Sequence, residues 1–110
     1  MEEYLVKITP QAQAQIQEIV HYLASVYKEP GTAQQMMTAL QTEIDSLSLF
    51  PGRAALTEER PWRDMGIHRL PAKNYLIYYW IDEDIHEVHI LAVVYGRRDQ
   101  RKALSEIEII

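Results

Sequence analysis

Four cations stand close together near the C-terminus, within residues 97–102, RRDQRK. They follow an apolar run, residues 90–95, and a single glycine, Gly96. Guanidinium groups make planar, two-pronged contacts with phosphate oxygens and stay charged at physiological pH. A cluster of three arginines could hold an RNA backbone and stabilise the charge that develops when a phosphate is attacked by its own 2′-hydroxyl. That chemistry requires neither a metal nor a cofactor.

Arg69 and Lys73 could join this cluster. Arg69 lies near the end of one predicted strand, Lys73 lies in the following turn, and Arg97 and Arg98 follow the last strand. In a meander of three strands, the first and the third run in the same direction. We therefore expect Arg69 and the pair Arg97-Arg98 to converge on one edge of the sheet and form an anion site.

Three aromatic residues, Trp62, Tyr75 and Tyr95, could stack on an unpaired base, although aromatic residues in such apolar runs more often belong to the core. The four histidines lack the spacing of metal ligands, and the glycines form no phosphate-binding loop. We therefore predict no metal site and no cofactor.

Charge is unevenly distributed along the chain, whose net charge is −5. Only two cations, Lys7 and Lys28, lie in the first 49 residues, and the other nine lie in the remainder. Local patches govern the encounter with a polyanion more than net charge does. Ten acidic residues share the cation-rich part, so a surface on which the arginines merely pair with carboxylates is an open alternative.

The length and composition predict one soluble domain over residues 1–110. Hydrophobic residues make up 47% of the 110 residues, enough for a single two-layer core. No run approaches the ~18 apolar residues of a membrane span. The opening MEEYLVKITP lacks a secretory n-region, and the absence of cysteine is compatible with the cytoplasm, where we expect the protein.

The first half reads as a short strand followed by two helices. Residues 4–8 form the strand, and Thr9 and Pro10 suit the start of a helix whose apolar stripe ends with Val26 and Tyr27. Residues 29–31, EPG, should end that helix, and Thr32 with a glutamine three residues later should cap the second. So short a connection predicts an antiparallel helical hairpin.

The second half reads as a loop and three strands. Residues 53–65 have no clear period, residues 67–70 could be a strand, and residues 75–81 and 87–95 are long apolar strands around an acidic turn. Neither long strand alternates, so both should be central. Residues 100–110 could be a short helix or a tail. We predict an α+β fold, β-α-α-β-β-β, with a helical hairpin packed on a small, mainly antiparallel sheet.

This order of elements and four segments resemble the RelE/ParE superfamily, the toxins of bacterial type II toxin–antitoxin modules, whose members include plasmid stabilisation proteins. The segments are YLVKITPQAQAQIQEIVHYL (4–23), LSLFPGR (47–53), MGIHRLPAKNYLIYYWIDE (65–83) and HILAVVYGRRDQRKAL (89–104). Together they span nearly the whole chain, and their common order is more specific than any one of them.

The resemblance implies a toxin that inhibits translation by metal-independent, ribosome-dependent cleavage of mRNA. By position it implies catalytic roles for Arg69, Arg97 and Arg98. The further RNA-binding residues that it implies are Arg53, Lys73, Tyr95 and Arg101. The implied partners are a cognate antitoxin, the ribosome and its mRNA, with operator DNA reached only through the antitoxin and no contact with a membrane.

Two features leave alternatives open. Gln100 stands where many relatives carry a tyrosine that is important for cleavage in some members, and the net charge is acidic. One alternative is a ParE-type inhibitor of DNA gyrase without an active site. The other is an attenuated homologue that acts only by binding its antitoxin and repressing its operon.

Overall fold

The computed structural model describes residues 3–28 and 30–108, which form three helices and one four-stranded sheet. In chain order the elements are β1 (Leu5–Ile8), α1 (Pro10–Tyr27), α2 (Pro30–Ser46), β2 (His68–Ala72), β3 (Tyr75–Asp82), β4 (Glu87–Tyr95) and α3 (Gln100–Ser105). This α+β arrangement confirms the predicted fold class. None of the described helices is long and apolar enough to cross a membrane.

The strand order is β1-β4-β3-β2, so the two long strands are central, as their apolar runs predicted. β2 pairs antiparallel with β3, β3 pairs antiparallel with β4, and β1 is added parallel to β4. β2 and β4 therefore run in the same direction. Their last residues, Ala72 and Tyr95, lie level with each other on either side of Tyr75.

The helical hairpin covers one face of the sheet. Thr9 caps α1 because its hydroxyl accepts from the backbone N–H of Ala12, as predicted. The apolar stripes of both helices pack against alternate residues of β3 and β4. The buried members of this core include Ile16, Leu40, Ile44, Leu47, Ile77, Tyr79, Ile90 and Val93.

Two predictions about the hairpin need correction. α1 ends at Tyr27 with Lys28 in the left-handed conformation, and α2 begins at Pro30, so Thr32 lies inside α2 and does not cap it. Proline is well tolerated at the start of a helix, where its missing N–H has no partner to lose. Val26 is exposed rather than part of the core, and the side chain of Tyr27, like the whole of Glu29, lies outside the described residues.

The short helix α3 and the loop before β2 cover part of the opposite face. Ala103 and Leu104 of α3 pack with Ile67, Tyr78 and Ala92 in a second, smaller core. Sequence analysis left α3 undecided between a helix and a tail. The helix begins at Gln100 because Asp99 caps it, its carboxylate accepting from the N–H of Lys102. The final two residues, 109 and 110, lie outside the described residues.

Candidate functional site

Two cations meet at the end of the sheet where β2 and β4 finish. Lys73 occupies the tight turn between β2 and β3 and has a φ of 55°. The backbone N–H of Gly96, just past β4, donates to the carbonyl of Asn74 in that turn at 2.8 Å. A Cβ atom at position 96 would lie 3.0 Å from the same oxygen, so glycine permits this close approach. The contact places Lys73 beside Arg97.

Lys73, Tyr95 and Arg97, which we call the sheet-end patch, line a shallow pocket of about 270 Å³. Both cations are exposed, and Tyr95 is 45% exposed with its ring edge-on to Tyr75 at 5.7 Å. Within residues 3–28 and 30–108, neither cation has an ion-pair partner within 4.0 Å. The patch therefore offers two uncompensated positive charges next to an accessible aromatic ring.

Arg69 lies elsewhere, on the face of the sheet that α3 partly covers. It pairs across the sheet with Tyr78, which pairs with Ala92, so it lies three residues before the strand-end row of Ala72. At roughly 3.3 Å per residue, that offset is about 10 Å along the strand. Arg97 lies two residues past Tyr95, at the end of β4 and on the other side of β3 from Arg69. The ends of β2 and β4 meet as expected, but Arg69 is set back from them and does not line the pocket with Arg97.

Arg69 instead belongs to a half-buried polar group with Thr57, Glu59 and Tyr78, which we call the Arg69 cluster. An Arg69 Nη1 atom is 4.0 Å from the Glu59 carboxylate, which also accepts from the hydroxyl of the fully buried Thr57. The Thr57 hydroxyl, helped by Arg69 and Arg101, lowers the pKa of Glu59. Burial raises the pKa of Tyr78, so its hydroxyl stays protonated and acts as a donor.

The other predicted site residues each have their own partners. Arg98 follows Arg97 and lines a neighbouring groove with Tyr95, and its guanidinium forms an ion pair with Glu106. Arg53 donates to Glu43 at 2.8 Å and to Ser46 at 2.7 Å, beside α2. Arg101 donates to the carbonyl of Arg60 at 3.0 Å and lies 5.5 Å above the ring of Trp62. Of the seven predicted site residues, the structure brings together Lys73, Tyr95 and Arg97.

Sequence reasoning missed the part played by Gln100, the first residue of α3. Its side-chain amide donates to the carbonyls of Tyr95, Gly96 and Arg98 at 3.0, 3.2 and 2.7 Å. Its carbonyl oxygen accepts from the Tyr78 hydroxyl at 2.7 Å. Gln100 therefore ties the end of β4 to the central strand β3. No local pattern in the sequence signals a contact across 22 residues, although a polar side chain at a helix start favours such bonds.

Metal binding finds no support in the described part of the chain. Within it, no group of three or more histidine and acidic side chains could hold a metal ion. His89 lies 3.1 Å from Glu87, whose carboxylate also pairs with Lys7. One histidine and one shared carboxylate are too few ligands for a metal site.

Solved structures that share this fold include proteins of toxin–antitoxin systems. The chain superposes on a protein of the chromosomal ParDE system from P. aeruginosa with a TM-score of 0.69, at 16% identity, over 84% of this chain and 96% of the other. It superposes on a protein of the RelBE2 toxin–antitoxin complex from Mycobacterium tuberculosis with a TM-score of 0.61, at 22% identity, over 84% and 98%.

A third structure is a double arginine-to-alanine mutant of E. coli toxin RelE in the free state, with a TM-score of 0.60, 10% identity and coverage of 92% of each chain. At such identities these likenesses show the fold alone. No curated protein sequence matches the chain. The family described as "ParE toxin of type II toxin-antitoxin system, parDE" matches residues 6–100, most of the chain. The chain therefore belongs to this ParE toxin family and is a RelE/ParE-type toxin of a type II toxin–antitoxin system.

Proposed function

We propose that this toxin inhibits translation by binding mRNA on the ribosome through the sheet-end patch and promoting its cleavage. The observation that carries the proposal is the grouping of Lys73, Arg97 and exposed Tyr95 around one pocket. Single-stranded nucleic acid is held by cations that follow its phosphates and by aromatic rings on which its bases stack. The patch supplies both kinds of group, and no carboxylate of the described residues has to be displaced from its cations first.

In the proposed reaction, the 2′-oxygen of the mRNA bonds to the adjacent phosphorus while the bond from phosphorus to the 5′-oxygen breaks. The products are a 2′,3′-cyclic phosphate and a 5′-hydroxyl, and water carries the 2′-hydroxyl proton to the departing 5′-oxygen. The Arg97 guanidinium stabilises the extra negative charge on the phosphate in the transition state. Lys73 holds a neighbouring phosphate, and Tyr95 stacks on a base.

A second candidate is poisoning of DNA gyrase, with which the position of Arg69 is compatible. Its guanidinium lies beside Glu59 and apart from Arg97, so the patch lacks the third arginine that the cleavage hypothesis assigned to the phosphate. A toxin that acts by binding alone would not need that arginine. For either target, membership of the toxin family supports a cognate antitoxin as a partner.

The test is a pair of assays on one preparation of purified protein. In a cell-free translation reaction, primer extension maps the 5′ ends of the mRNA, and we expect new ends at the ribosomal A site. Intact mRNA with a normal yield of protein would contradict the proposal. Inhibition of gyrase supercoiling by the same preparation would then support the second candidate. Activity in neither assay would leave the homologue that acts only by binding its antitoxin.

A further inference from the structure

The turn of residues 95–98, which we call the corner, carries Arg97 and accepts three hydrogen bonds from one side chain, that of Gln100. The three carbonyls that accept from the Gln100 amide belong to Tyr95, Gly96 and Arg98, which flank Arg97 on both sides. An amide group has two N–H donors, so at least one of them is shared between carbonyls. This concentration of bonds on residues 95–98 comes from a residue outside the corner.

The side chain of Gln100 is in turn oriented by Tyr78. Tyr78 lies in central strand β3, is fully buried and donates its hydroxyl to the Gln100 carbonyl oxygen at 2.7 Å. A buried hydroxyl without an acceptor is costly, so this bond has a strong reason to persist. With its oxygen held by Tyr78, the Gln100 amide must direct its N–H groups toward the corner.

The other bonds of the corner leave the peptide plane before Arg97 unfixed. Gly96 donates to Asn74 at 2.8 Å, and Arg98, whose N–H belongs to the peptide plane after Arg97, donates to Tyr95 at 3.1 Å. Neither bond involves the plane between Gly96 and Arg97. The Gln100 amide fixes that plane, because it donates to the Gly96 carbonyl, and its bond to the Arg98 carbonyl fixes the plane that follows Arg98.

We propose that Gln100 is a positioning residue, which together with Tyr78 sets the direction from which the Arg97 guanidinium approaches its phosphate. The inference rests on the proposed function only in taking Arg97 as a contact to RNA. In this proposal, Gln100 links the corner to the central strand β3 and takes no part in proton transfer.

Two substitutions test the contact between Tyr78 and Gln100, one at each residue. Gln100→Glu keeps the length of the side chain and an acceptor for Tyr78, but replaces the amide donors with an oxygen that faces three carbonyls. Tyr78→Phe removes the hydroxyl that holds Gln100, which also lies beside Arg69 and Thr57. The matched control is Gln17→Glu, the same change at an exposed position on α1. Because the two test residues act through one contact, the effects of the double variant should not add.

Hydrogen exchange measured by NMR gives the first readout. We expect the amides of Gly96 and Arg98 to exchange about tenfold faster in Gln100→Glu, since more than one hydrogen bond is lost, while the buried core amide of Ile77 keeps its rate. Tyr78→Phe should give a smaller change at the same two amides. Equal acceleration at Ile77 would show a general loss of stability, and unchanged rates at Gly96 and Arg98 would also overturn the inference.

Cleavage kinetics give the second readout. A misdirected Arg97 should lower the rate at saturating toxin about tenfold while the toxin concentration for half-maximal rate changes less than about threefold. A change confined to the half-maximal concentration would contradict positioning. If the unmodified protein cuts no mRNA, the proposed function fails, but the exchange rates still decide whether Gln100 holds the corner.

Discussion

The sheet-end patch and the Arg69 cluster contain the same kinds of residue, an arginine in a strand or just after one and beside a tyrosine, and differ in what surrounds them. In the patch, Arg97 is exposed without an acidic partner among the described residues, and Tyr95 is 45% exposed. In the cluster, Arg69 lies 4.0 Å from Glu59, and Tyr78 is fully buried. A carboxylate beside an arginine competes with an anionic ligand for its charge, even at 4.0 Å and without a hydrogen bond, as for Glu59 and Arg69.

This difference has an energetic meaning. For Arg69 to bind a phosphate, Glu59 would have to move away or accept a second anion beside it, and like charges at short range repel strongly where water is partly excluded. No carboxylate of the described residues lies within 4.0 Å of Arg97, so no such repulsion opposes the binding of a phosphate there. The two arginines, equivalent when read from the sequence, should therefore respond very differently to mutation.

The largest effect should come from Arg97. Arg97→Ala removes the charge that stabilises the transition state, and we expect mRNA cleavage to fall about 100-fold or more. Arg69→Ala should change the cleavage rate by only about twofold, as surface substitutions outside a site usually do. Primer extension on a defined mRNA in cell-free translation measures both.

Arg53→Ala is the matched control, since Arg53 is bound to Glu43 and Ser46 on the other face of the sheet. Equal losses from Arg97→Ala and Arg69→Ala would show that the two regions act as one site when RNA is bound. That result would require Arg69 to leave Glu59.

The next largest effect should come from Gly96, which lets the two halves of the patch approach each other. In Gly96→Ala the new Cβ would lie 3.0 Å from the Asn74 carbonyl oxygen and force the turn away from β4. A displacement of this kind near the reacting groups should lower cleavage about tenfold. Asn74→Ala is a suitable control, because its backbone carbonyl remains. Undiminished cleavage by Gly96→Ala would mean that Lys73 and Arg97 need not be held together.

Lys73 should have a smaller effect, through affinity alone. Lys73→Asn removes the charge and retains a residue type that tolerates the positive φ of this turn. Binding to single-stranded RNA should weaken, and the slope of log affinity against log salt should fall by about 0.7, the value for one phosphate contact. Titrations of a labelled RNA at several salt concentrations measure that slope. An unchanged slope would remove Lys73 from the RNA contact.

Most of the fold could be predicted from the sequence because hydrophobic spacing is local information. The run of residues 87–95 gave β4 with its observed bounds, and Thr9 with Pro10 located the start of α1. The start of α2 was misplaced because two local signals compete there. Thr32 fits a capping box, but Pro30 is equally suited to begin a helix, and the structure uses the proline.

Much less of the candidate site could be predicted, because it depends on register and on contacts distant in sequence. The pairing of Arg69 with Tyr78 and of Tyr78 with Ala92 sets the offset from Arg97, and spacing along the chain does not reveal such a register. Glu59 reaches Arg69 from an irregular loop without a period. The sequence could supply the list of cations, but only the folded chain separates those with partners from those without.

Thr57 and Glu59 of the Arg69 cluster should contribute to stability and not to activity, unlike Tyr78, which also anchors Gln100. Thr57 is fully buried and donates its hydroxyl to Glu59, so Thr57→Val, which keeps the shape, removes one hydrogen bond. We expect a loss of about 1 kcal/mol in the free energy of unfolding. Urea denaturation measures it, and the cleavage rate should match that of the unmodified protein. A large loss of cleavage with unchanged stability would place the Arg69 cluster in the active site.

The smallest effect should be the pH dependence that Glu59 adds to stability. Its pKa is lowered in the folded protein, first by the Thr57 hydroxyl and then by Arg69 and Arg101. A carboxyl group with a lowered folded pKa stabilises the fold above its unfolded pKa of about 4.3, and this contribution is lost as the pH falls through the folded value. The unmodified protein should therefore lose stability on acidification below about pH 4.3 more steeply than Glu59→Gln, while their difference stays constant between about pH 7 and pH 5. Urea denaturation across this range, with the exposed neighbour Glu58→Gln as the control, measures the difference. Parallel curves for all three proteins would mean that the folded pKa of Glu59 is not lowered, and the electrostatic distinction between Arg69 and Arg97 would lose this support.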